Sequence, residues 1–186
     1  MILGVFLGVM ASEWSTNKRL KKDQEKLLFG LKVELSSNLE YISDRKVEIY
    51  EFAIRINQLV KENGQNPSFF IVPFKEKPFA ARIPGFPGLG KSALNRAMFE
   101  AAIYSNLFPD LNIELIKQLS VSYSIQHNFL DSRAKIERKL EYIDSETTYR
   151  EVMDIMYEYL DEFYKTHERL ESEYQKTIEL IENSLN

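Results

Sequence analysis

Residues 28–59 read LFGLKVELSSNLEYISDRKVEIYEFAIRINQL, and the spacing of apolar side chains in this stretch decides the fold. Leu28, Leu31, Leu35, Asn38, Ile42, Arg45, Ile49, Phe52, Ile56 and Leu59 alternate three and four residues apart. That interval places them on one side of an α-helix, in the pattern of a coiled-coil seam. Leu27, Leu39 and Val60 widen the seam toward a bundle face. Two members are polar, Asn38 and Arg45. A buried Asn in such a seam ordinarily fixes register. No breaker interrupts the pattern between Lys18 and Asn63-Gly64, and Gly64 there can take the positive φ of a helix stop.

Upstream of the seam lies MILGVFLGVMAS, residues 1–12, uncharged and apolar. As a helix it covers only about 18 Å, short of the roughly 20 residues a spanning segment needs, and no positive n-region precedes it as in a signal peptide. It reads as the tail of a transmembrane helix that starts further upstream, as a short anchor in an oligomer, or as a buried core helix end. The flanking residues favour the first. Trp14 stands where an interfacial aromatic would, and Lys18, Arg19, Lys21 and Lys22 follow. Basic residues on that side predict a single-pass protein of the inner (cytoplasmic) membrane with its bundle in the cytoplasm. Membrane lipid is then the expected partner of the N-terminus, and the basic cluster suits anionic headgroups better than nucleic acid. Gly4 and Gly8 form a GxxxG, which allows close helix pairing and a homo-oligomer.

Downstream, Gly and Pro crowd between Gly64 and Gly90, marking residues 65–91 as an irregular insertion. Within it Ser68–Phe74 and Phe79–Ile83 suggest at most a small β-hairpin, held to edge positions by Pro73 and Pro78. A helix is expected from Lys91 or Ser92 to about Leu107, with Leu94, Met98, Ala101 and Ile103 inward. Another should run from Leu111 to about Ile143, capped by Asp110, carrying Leu115, Leu119, Ser122, Ile125, Phe129, Ile136, Leu140 and Ile143. Thr148-Tyr149-Arg150-Glu151 has capping-box spacing. It precedes a last strict stripe: Met153, Met156, Leu160, Phe163, His167, Leu170, Tyr174, Thr177 and Ile181. The expected fold is all-α, an elongated bundle of about four helices, two of them long and coiled-coil-like. Residues 1–14 would be the anchor and 15–186 the bundle domain.

The 186 residues carry a net charge of −4, 44% hydrophobic and 28% charged, so a folded domain with no general affinity for nucleic acid is expected. The absence of cysteine excludes disulfides, thiolate metal sites and cysteine nucleophiles. Gly85-Phe86-Pro87-Gly88-Leu89-Gly90-Lys91-Ser92 satisfies GxxxxGK[ST], in which backbone N–H groups cradle phosphates while the Lys and Ser reach γ-oxygens and Mg²⁺. The context argues against a nucleotide site. FAARIP precedes it where a buried strand belongs, Pro87 removes one N–H, and no later apolar strand ends in an acid. A weaker anion site at Gly90, Lys91 and Ser92 survives this argument. His127 and His167 belong to no ExxH spacing, and only Glu34 with His167 offers a carboxylate–histidine metal reading. His167 on an apolar stripe reads instead as a hydrogen-bonded core histidine, or as a solvent-reaching one at the stripe edge. Tyr149, Tyr157, Tyr159 and Tyr164 read as a packing or partner face. No cofactor is expected.

Two sets of motifs carry a resemblance: G-V-x-x-G, E-W-x-x-N-K-R and L-K-x-E-L-x-x-N-L over Gly4–Leu39, then E-A-A-I-Y-S-N-L and L-S-x-x-Y over Glu100–Tyr123. Over its first two-thirds the chain resembles a broad group of bacterial single-pass, membrane-anchored helical proteins of unassigned function. The resemblance implies an apolar segment upstream and no particular activity. The function expected is therefore a non-enzymatic, membrane-anchored scaffold or accessory subunit of a membrane complex. The alternatives are a nucleotide- or phosphate-binding protein using residues 85–92, and a soluble self-associating adaptor.

Overall fold

The seam is one uninterrupted helix. In the computed structural model, which describes residues 2–74, 83, 85–89 and 94–185 (side chains from Glu13 onward, Pro67 and Phe69 apart), helix α1 runs Ile2–Asn63. Leu28, Leu31, Leu35, Asn38, Ile42, Arg45, Ile49, Phe52 and Ile56 are all buried along it, because residues three and four apart stack on one face. At its end the Asn63 side chain donates back to the Leu59 carbonyl (2.9 Å) and Asn66 N–H closes on the Asn63 carbonyl (2.9 Å).

Among the described residues four shorter helices follow: α2 (Pro67–Ile71), α3 (Ala97–Tyr104), α4 (Ile113–Glu141) and α5 (Tyr149–Leu185). A 3₁₀ turn, Phe108–Asp110, sits between α3 and α4. The capping box forms as expected. Thr148 N–H donates to the Glu151 carboxylate (2.7 Å) and Glu151 N–H donates to the Thr148 hydroxyl (3.3 Å). The α5 stripe from Met153 to Ile181 is buried at every position. It lies antiparallel to α1, since Lys32 pairs with Glu182, Lys46 with Glu171, and Tyr157 reaches Asn57. Helix α4 fills the third side and meets α5 through Phe129 against Phe163 (5.9 Å between ring centres). A bundle with two long helices is thus what the chain forms.

Several expectations are corrected. Among the described residues no helix is long and apolar enough to cross a membrane, which overturns the single-pass inner-membrane placement. Helix α1 is long, but its uncharged part stops at Ser12 and Glu13 begins a run of charges within the same helix. The segment Ser68–Phe74 is no strand, because Pro67 opens a short helix. What survives is an isolated antiparallel bridge from Pro73 to Thr148, and positions 79–82 of the expected second strand lie outside the described residues. Helix α3 starts at Ala97 and buries Phe99 and Ala102, leaving Ala101 and Ile103 exposed. Helix α4 is capped by the Asn112 side chain, which accepts from Glu114 N–H, with Asp110 instead inside the 3₁₀ turn.

Candidate functional site

The polar seam members are where chemistry would be sought, and the fold gives each a partner. Glu34 sits one position before Leu35 on α1 and is buried. Its carboxylate accepts Met98 N–H (2.8 Å), Phe99 N–H (3.3 Å) and the Tyr123 hydroxyl (2.6 Å). Those two amides belong to the first turn of α3, whose donors have no partner inside their own helix. A negative group there is also favoured by the helix dipole. Glu34 therefore caps α3 from a different helix. Burial first, then Glu34, pushes the Tyr123 hydroxyl far above the ordinary phenol range, so it remains a proton donor to the carboxylate.

One turn along α1, Asn38 faces the residues preceding α3. Its amide donates to the Asn95 carbonyl (2.7 Å) and accepts Asn95 N–H (2.8 Å). Gln126 of α4 donates to the same carbonyl (3.1 Å), and Tyr174 of α5 donates to Gln126 (2.7 Å). Helices α1 and α4 thus converge on one backbone segment, and α5 reaches it through Gln126.

Further along α1, Arg45 meets the Gly/Pro-rich segment. Its guanidinium donates to the Pro87 carbonyl (3.3 Å), to the Gly88 carbonyl, and to Glu48. Gly85 and Gly88 take positive φ (78° and 69°), which turns the chain back toward α1. The described half of the GxxxxGKS motif thus offers carbonyl oxygens to an arginine, the reverse of the N–H cradle a phosphate needs. Gly90, Lys91 and Ser92 lie outside the described residues. Beside Arg45 lies a cavity of about 20 Å³ lined by Tyr41, Phe129, Arg133 and Tyr159 among others, room for about one water and far from ligand size. Burial pushes the Tyr159 hydroxyl up although Arg45 and Arg133 oppose it.

His167 is buried on the α5 stripe. Its ring stacks on Phe163 (4.9 Å, 10°), its Nδ1 lies 3.1 Å from the Phe163 carbonyl, and among the described residues its Nε2 has no hydrogen-bond partner. Glu34 is committed elsewhere, and among the described residues no three His, Asp or Glu cluster as metal ligands. Trp14, Lys18, Arg19, Lys21 and Lys22 all sit exposed on α1, with Lys18 Nζ 5.2 Å from the Trp14 ring. The structure brings Asn38 together with Glu34's cluster. Arg45 and His167 stand apart from it.

No family model, curated protein or solved structure matches the chain. The residues missed from sequence are Asn95, Gln126 and Tyr123. Gln126, between inward Ile125 and inward Phe129, carried a signal: a polar side chain on a core stripe implies a buried partner.

Proposed function

We propose that the chain is a non-enzymatic helical scaffold or accessory subunit, engaging its partner through the N-terminal part of α1. The observation that carries this reading is where the core begins. From Glu13 to Lys22 every residue of α1 is exposed, and the first buried one is Leu27. The helix therefore leaves the bundle as an arm bearing Trp14 and the basic cluster Lys18, Arg19, Lys21 and Lys22, followed by Asp23, Glu25 and Lys26, with Lys26 paired to Asp23 (3.1 Å). The buried Glu34, Asn38 and Arg45, by contrast, are engaged in fastening α3 and the Gly/Pro-rich segment to α1. An arm of this charge suits an acidic surface. Nothing in the geometry around Arg45 favours the nucleotide alternative.

The test compares the full chain with a Lys18→Glu/Arg19→Glu/Lys21→Glu/Lys22→Glu variant. Both should show the same cooperative unfolding. In-cell photo-crosslinking from Trp14 should capture neighbours with the native chain and lose them with the variant, and flotation with anionic vesicles would separate a lipid surface from a protein one. Identical neighbours for both chains would reject the arm as the working surface.

A further inference from the structure

The side of α1 turned away from the core also carries a pattern. Phe29, Val33, Ser36, Glu40, Ser43, Val47, Tyr50 and Ile54 follow one another at strict four-three spacing, a second heptad stripe largely opposite the buried one, with Ser43 at its edge donating to Glu171 of α5 (3.3 Å). Its large members lie open to solvent: Phe29 61%, Val33 53%, Val47 61%, Tyr50 61% and Ile54 45% exposed. Tyr157 and Tyr164 on α5 adjoin the Tyr50 end, with Tyr157 touching Asn57. Together these seven side chains expose on the order of 600 Å², in two clusters separated by Ser36, Glu40 and Ser43, a substantial part of the ~800 Å² per partner of an ordinary interface.

We infer that this stripe pairs with the same stripe of a second copy, antiparallel, about a two-fold axis passing between Tyr41 and Ile42. Two features select that occupant. The stripe is nearly palindromic, apolar at both ends and small or polar at its centre. About that axis Phe29 meets the partner's Ile54, Val33 the partner's Tyr50, Ser36 the partner's Val47 and Glu40 the partner's Ser43. Such self-complementarity is what an isologous contact requires. A parallel pair would instead set Glu40 against its own copy and one basic arm against the other, a like-charge cost. The antiparallel arrangement carries each arm to the far end, where Lys26 comes opposite the partner's Asn57. This inference is independent of the arm as a docking surface, since it uses the outward face of α1 within the bundle.

Sedimentation velocity on the full chain, up to about 100 µM, tests it. The expected species has twice the 21.8 kDa chain mass, and Val33→Glu/Val47→Glu should sediment as a monomer with unchanged helicity and a single cooperative transition, at a Tm no longer dependent on concentration. Because the chain has no cysteine, orientation is read by mixing Phe29→Cys and Ile54→Cys proteins under mild oxidation. The antiparallel pair gives disulfides between unlike chains. A monomeric native chain, a dimer that survives the double glutamate variant, or Phe29→Cys cross-linking to itself would each overturn the proposal.

Discussion

A single carboxylate holds α3 in place. Both oxygens of Glu34 are spoken for, and a glutamine there has one oxygen to offer three donors. Glu34→Gln should therefore leave at least one buried N–H or O–H unmet and cost about 1–3 kcal/mol, read from urea unfolding of the full chain. His167 makes the opposite case. Its ring is packed as an aromatic while its Nε2 gains nothing from the protein. His167→Phe should keep the stacking, remove a buried polar atom, and leave the stability unchanged or raised. A fall beyond about 2 kcal/mol in the same assay would show that the ring nitrogens, Nδ1 at the Phe163 carbonyl among them, carry stability. At this scale the sequence was only partly legible. The inward position of Asn38, Arg45 and His167 followed from spacing alone. The pairing of Glu34 with amides 64 and 65 residues away did not, because periodicity reports which side a residue faces and says nothing of what stands opposite.

Among the elements, the start of α5 carries the clearest local signal. Thr148→Ala removes the hydroxyl that accepts Glu151 N–H and should cost about 1 kcal/mol, the usual worth of an N-cap. The same box gives the chain an acid response. Thr148 N–H, then the Thr148 hydroxyl, hold the Glu151 carboxyl below its ordinary value, and the Thr147 hydroxyl does the same for Asp144. For a depressed carboxylate the stabilisation is complete above the unfolded-state pKa and disappears as pH falls through the lower folded one. Stability measured by urea from pH 7 to about 3 should fall on the acid side, and Glu151→Gln should make that fall shallower. Capping boxes and heptads are legible because they are local. The misplaced start of α3 and the expected hairpin show the limit. Asn95 acts through a neighbour in space, bonding to Asn38 of α1, whereas Pro67 is a local helix-opening signal that competed with the strand-like composition after it.

For the whole molecule the division of α1 sets the expectation. Removing residues 1–26 takes away no described core side chain, the first being Leu27. The remainder should keep one cooperative transition within about 1 kcal/mol of the full chain, by circular dichroism during urea unfolding. A broad or lost transition would mean that the arm is part of the fold. The all-α architecture was legible as a whole because three long stripes cannot each bury a face except against one another. Placement in the membrane was not. A short apolar run followed by Trp and Lys reads as an anchor, yet no described helix has the length of apolar sequence that crossing demands.

The continuity of α1 from Glu13 to Asn63 has an angular consequence. At 3.6 residues per turn each residue advances the helix by about 100°, so the direction in which Trp14 and the lysines point is geared to the direction in which Leu31 and Ile42 enter the core. One residue inserted after Lys26 would swing the arm's face about 100° around the bundle, whereas seven would return it nearly to phase. What the arm meets is thus fixed by arithmetic along the chain as much as by the side chains it bears.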